Sequence, residues 1–160
     1  MRNKQKGFSL IELLIVVAII LIIAAIAIPN LLRSRIAANQ ASAVGSLRTL
    51  NTAEITYSST FNVGFSQTLA YLSPPAGAAN PASTAAGLID SVLSGGSKSG
   101  YSFTYSPGSS DSTGRINTYF FTAIPISSST GTNYYYTDQS GVIRQNSTAT
   151  AAATDSPIAG

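Results

Sequence analysis

One acid stands inside a run of aliphatic residues, and that run limits what the rest of the chain can be. Phe8 to Ile28 comprises 21 residues, of which fifteen are Phe, Leu, Ile or Val and one, Glu12, is charged. At about 1.5 Å per residue a helix of this length is about 31 Å long, enough to cross the hydrocarbon core of a bilayer. Large apolar residues favour insertion by about 0.3–0.6 kcal/mol each, which gives about 5–9 kcal/mol for the segment. An acid at mid-helix opposes this by about 3 kcal/mol, and by less near the interface. Insertion wins, so the segment is expected to be a single membrane-spanning helix. Arg2, Lys4 and Lys6 would lie on its cytoplasmic side, although Arg33 and Arg35 beyond the span weaken that asymmetry.

The energetics explain why Glu12 is tolerated but not why it is there. One reading is a helix-end carboxylate kept wet by the headgroups or favoured by the positive end of the helix dipole. The other pairs Glu12 with a cation that exists only after processing, the new α-amino group of Phe8 released by a cut after Gly7. Charge would then meet charge inside an apolar assembly. An ordinary secretory signal cleaved near Ala25-Ile26-Ala27 is a further alternative, but its apolar region would be unusually long and would carry an acid.

The residues Lys6-Gly7-Phe8-Ser9-Leu10-Ile11-Glu12, with the aliphatic stretch that ends at Pro29, resemble the class III signal of type IV prepilins and of type II secretion pseudopilins. The resemblance covers about residues 1–50. It implies cleavage between Gly7 and Phe8 by a prepilin peptidase, N-methylation of Phe8, docking of subunits through Glu12 and the Phe8 amine, and a helix bend at Pro29. It also implies a history: an inner-membrane single-pass protein handed by the pilus assembly machinery from membrane lipid into an extracellular filament of identical subunits. Two departures stand out. Leu21 occupies a position where the family often has glycine, in the Leu21–Pro29 stretch that can melt on assembly, and the cysteine pair common near pilin C-termini is absent.

Charge and chemistry narrow the alternatives. The net charge of +3 is supplied by Arg2, Lys4 and Lys6, and without them six basic residues face six acidic ones. A nucleic-acid site has no support in that balance. The chain has no His and no Cys, its acids are scattered, and no phosphate-cradling loop appears, so neither an enzyme nor a cofactor is expected. Asp138 could offer calcium one oxygen where six to eight are wanted, so no metal is expected.

After Pro29, Leu32, Ile36, Ala43, Val44, Leu47 and Leu50 recur at helical intervals, with Arg33, Arg35, Arg48 and Asn51 between them and Glu54 on the solvated face. A helix from Phe8 to Ser58 would be about 77 Å long. Its amphipathic part needs a surface to cover its stripe.

Residues 59–100 read as a connecting loop with a turn or two of helix at Leu88–Leu93, suited to subunit contact or display. Strands follow at Tyr101–Tyr105, Thr118–Ile124 and Asn133–Thr137, and Asp138-Gln139-Ser140-Gly141 turns into Val142–Gln145. Their aromatic residues suit core and cross-strand packing better than a conducting stripe or a sugar platform. Ser147–Gly160 is expected to fray or lie on the surface.

The expected fold class is α+β: a long N-terminal helix packed on a small antiparallel four-stranded sheet, the pilin fold. In order, the segments are a leader (1–7), a membrane or filament-core helix (8–28), its amphipathic continuation (29–58), a loop (59–100), a sheet (101–146) and an Ala/Ser/Thr-rich tail (147–160). A type IV pilus subunit, a pseudopilin and a membrane-anchored binding protein that does not polymerise remain open.

Overall fold

Apolar side chains three and four residues apart put one stripe on a helix, and α1 (Leu10–Phe61) carries two regimes of that pattern. The computed structural model describes residues 7–77 and 79–158, so the leader's basic residues Arg2, Lys4 and Lys6 lie outside the described residues. The chain divides into two compact units, Met1–Arg35 and Ile36–Gly160.

In the first unit the aliphatic run of the helix, up to Ile28, is apolar on every side but for Glu12. All fifteen large apolar side chains of the aliphatic run are exposed, from Val17 at 46% to Leu10 at 79%. Among the described residues this is the one helix long and apolar enough to cross a membrane. Pro29 lies inside it. Leu32, expected on the buried stripe, is exposed.

In the second unit α1 buries Ala43, Ser46, Leu47, Leu50, Asn51, Ala53, Glu54 and Tyr57, a stripe at helical spacing. The partner is a sheet of five antiparallel strands in sequential order: β1 (Ser97–Lys98), β2 (Tyr101–Pro107), β3 (Tyr119–Pro125), β4 (Tyr134–Asp138) and β5 (Ile143–Asn146). Period-two alternation sends Tyr101, Phe103, Tyr119, Phe121, Ala123, Tyr135, Thr137 and Ile143 into the core. Ring pairs knit this face, with Tyr105 and Phe121 at 4.8 Å and Phe65 edge-on to Tyr119 at 4.6 Å.

The α+β class stands, while the strand count is five and not four. The added strand β1 is two residues long, too short to display alternation. It is held by a tight turn in which Ser99 and Gly100 both have positive φ, at 50° and 74°, so that Lys98 pairs with Tyr101. Both central residues at positive φ match the hairpin turn whose twist suits β-strands.

The connection after α1 is more ordered than a plain loop. A 3-10 turn (Leu69–Leu72) buries Leu72, α2 (Ser91–Ser94) buries Leu93, Ile89 is buried just ahead of α2, and the Leu72 carbonyl accepts from the Leu88 and Ile89 amides. Asp90 caps α2 by accepting from the Leu93 amide at 2.9 Å. The tail is also tied down. Gln145 donates its amide to the Ser156 carbonyl, Ile158 donates to the Ile143 carbonyl, and Ala151 is buried. The Asp155 carboxylate accepts from the Asn146 side chain and from the Ala152 amide. Composition hid these partners, because Ala, Ser and Thr give no periodic signal.

At Gly64, φ is +85° and an added Cβ would lie 2.5 Å from the Ile116 carbonyl oxygen. Gly64→Ala should therefore destabilise the second unit by about 1–3 kcal/mol, through left-handed strain plus the clash. Thermal unfolding of the full chain in detergent, followed by circular dichroism, would show a midpoint several degrees lower.

Candidate functional site

Helix α1 begins where its first free amides can find acceptors, and the candidate site is built around that start. Ser9 precedes the first helical residue, its carbonyl accepts from the Leu13 amide at 3.2 Å, and its own amide donates to Glu12 Oε2 at 3.0 Å. Glu12 is the third residue of the helix, so the Ser9–Glu12 pair forms one half of a capping box. The sequence reading missed this contact, although Ser-x-x-Glu ahead of an apolar run is its signature.

Phe8 is 74% exposed and Gly7 is exposed beside it, so the peptide bond proposed for cleavage lies on an open segment ahead of the helix. Glu12 is exposed, and among the described residues it has no ion-pair partner. Pro29 lacks an amide hydrogen, which leaves the Ala25 carbonyl without its usual donor four residues on. Gly7, Phe8 and Glu12 thus fall within one helical start, and Pro29 lies farther along the same helix.

The arrangement offers one carboxylate in an apolar helix surface whose large side chains are exposed among the described residues. A carboxylate there is costly to bury alone and tolerable when paired with a cation that arrives with the covering surface. Among the described residues no three of His, Cys, Asp or Glu come together as metal ligands. Asp138 Oδ1 accepts from the Ser140 amide and braces the β4–β5 turn.

Two polar constellations in the second unit went unread. Glu54, expected on the solvated face, is fully buried and accepts from the Ser66 amide at 2.9 Å and from Ser66 Oγ at 2.5 Å. Tyr105 closes the group by donating to the Ser66 carbonyl at 2.6 Å. Burial pushes the Glu54 carboxyl up from its ordinary value, against the lowering effect of the Ser66 hydrogen bonds. Asn51, expected between the apolar positions, is buried as well. It donates to Thr137 Oγ1 at 2.8 Å and accepts from the Tyr119 hydroxyl at 3.2 Å. Glu54 and Asn51 both sit on α1 at stripe positions, and the helical spacing alone could have placed them inside.

Comparison with known proteins points to the same N-terminal segment. Residues 2–28 match the family described as the prokaryotic N-terminal methylation motif. The type IV major pilin protein PilA of Myxococcus xanthus is 51% identical over 51 residues, covering 32% of this chain and 23% of that protein. The type IV wide pilus major component PilA4 of Thermus thermophilus is 69% identical over 39 residues, 24% of this chain and 29% of that protein. The chain therefore spans less than a third of the length of either relative. No solved structure matches it.

Proposed function

We propose, from an N-terminal segment that carries the methylation motif and aligns with type IV major pilins, that this chain is a structural subunit of a type IV pilus. Prepilin peptidase cuts between Gly7 and Phe8 and methylates the new amine. The apolar helix then holds the subunit in the inner membrane until the assembly machinery moves it into an extracellular filament. There the helices of identical chains bundle, and Glu12 of one subunit meets the Phe8 amine of another. Its role is mechanical and not enzymatic.

The observation that carries this reading is the uncovered aliphatic helix with a single carboxylate in its first turn. Bilayer lipid satisfies the fifteen apolar side chains before assembly, and neighbouring helices do so afterwards. Glu12 finds a cation only in the second setting, which makes assembly directional and sets its register. Oε2 already accepts from the Ser9 amide, so the carboxylate is held at the helix start, and it has lone pairs for a further donor.

The test begins with the N-terminus. Chains recovered from sheared filaments should start at Phe8 and bear a methyl group on its nitrogen, read by terminal sequencing and mass spectrometry. A chain still carrying its first seven residues, or starting after Ala27, would overturn the proposal. Deletion should abolish surface fibres and leave secretion of exoproteins intact, whereas their retention in the periplasm would indicate a pseudopilin. An anchored binder would give neither phenotype.

A further inference from the structure

Just beyond the C-terminal end of α1 the chain forms an open cleft of about 720 Å³, within the size range of small-molecule sites. Phe65 and Tyr71 line it with aromatic surface, Gln67, Ser83 and Thr84 with amide and hydroxyl groups, and Arg115 with the cleft's one charge. Among the described residues Arg115 forms no salt bridge. Its Nη2 makes only a long 3.4 Å contact with Asn62 Oδ1.

Both walls are fixed in place. On one side Asn62 takes a left-handed conformation, with φ 53°, as the chain leaves α1, and the Phe65 amide then donates to the Ile116 carbonyl at 2.8 Å. On the other side Asp111 Oδ1 accepts from the Thr113 amide, Thr113 Oγ1 and the Arg115 amide, while Oδ2 accepts from the Asn117 side chain. That carboxylate is occupied by its own loop. The nearest acid in sequence therefore serves to shape the turn that presents Arg115, and its oxygens are already engaged.

We propose that this cleft binds an acidic oligosaccharide, with Arg115 holding a sugar carboxylate and the aromatic side chains packing on pyranose faces. A guanidinium matches a carboxylate with two parallel hydrogen bonds. Hydroxyl and amide side chains on the same rim suit a ligand dense in hydroxyl groups. Single-stranded nucleic acid also stacks on aromatic rings, but it needs a groove of several cations along its backbone. This cleft has one, in a chain whose acids and bases balance beyond the leader. The reading does not depend on polymerisation, so it stands or falls separately from the pilus assignment.

The test is calorimetric titration of the full chain in neutral detergent micelles with tetragalacturonate, a neutral cello-oligosaccharide and a thymidine decanucleotide. Tetragalacturonate should bind most tightly. Arg115→Gln should weaken it about ten- to a hundredfold, the usual range for one charge-assisted contact, and Arg115→Lys should lose less. Tyr71→Ala should weaken both sugars, and Lys98→Gln, away from the cleft, should change nothing. Circular dichroism checks each variant's fold, and the Arg115 pair decides the matter if Tyr71→Ala unfolds. No heat with tetragalacturonate, tighter binding of the decanucleotide, or full affinity in Arg115→Gln overturns the proposal.

Discussion

Glu12→Gln is expected to insert into the membrane normally and to be almost absent from sheared filaments. Glutamine at this position can still accept the Ser9 amide hydrogen bond that Glu12 now makes, so the helix start keeps its cap. Only the charge is lost. An α-ammonium group enclosed by aliphatic helices without its counter-ion is destabilised by about 3–5 kcal/mol, the usual result of removing one partner of a buried ion pair. Each added subunit would carry that penalty, so filament yield should fall by two orders of magnitude or more while the membrane pool persists. Quantitative blotting of sheared and membrane fractions reads the ratio. Glu12→Ala removes charge and cap together and should behave at least as badly. Normal filaments from Glu12→Gln but not from Glu12→Ala would make capping the role of this residue, and the intersubunit pairing would have to be abandoned.

The elements that could be read from the sequence were those whose period is strong. The aliphatic run announces a helix through composition, and Leu47 and Leu50 announce the stripe that packs on the sheet. Strand positions came from Tyr101, Phe103 and Tyr105, and each of the four expected strands lies within a residue or two of its place. The hairpin turn also formed as read: Gly141, with φ 75°, donates its amide to the Asp138 carbonyl at 2.9 Å. Three kinds of feature stayed hidden. β1 is only one period long, so no alternation repeats in it. The tail's order depends on Asp155 and on amides that pair with β5, which are long-range partners invisible to local pattern. Residue type points Glu54 to the solvated face and sets Asn51 between the apolar positions, although their spacing places both with Leu47 and Leu50. Type misled because a polar residue can be buried when its partners arrive from distant strands and loops. Gly7, Phe8 and Glu12 lie close together in the sequence, which is why they could be named from it, whereas the cleft beside Arg115 draws on segments more than fifty residues apart.

Buried Glu54 makes the second unit's stability depend on pH in an unusual direction. A carboxyl whose value rises on folding binds its proton more tightly in the native state than in the unfolded one. The native state is therefore favoured when Glu54 is protonated. That advantage is complete below the unfolded value of 4.5 and is lost as pH rises through the raised folded value. Asp90, beside Lys98, and Asp111, held by its loop, are shifted the other way and act oppositely. Comparison with Glu54→Gln cancels their contribution, because the amide is neutral at every pH and resembles the protonated acid. Denaturant unfolding of wild type and Glu54→Gln should differ least near pH 4, and the variant should gain relative to wild type toward pH 7. Glu54→Ala should lose about 2–4 kcal/mol at acid pH, because the buried Ser66 amide and hydroxyl then lack an acceptor and a cavity opens among Tyr105, Ser66 and α1. A wild type to Glu54→Gln difference that stays constant from pH 4 to 7 would show that the carboxylate is as well solvated inside as out. The Ser66 contacts would then fully compensate its burial.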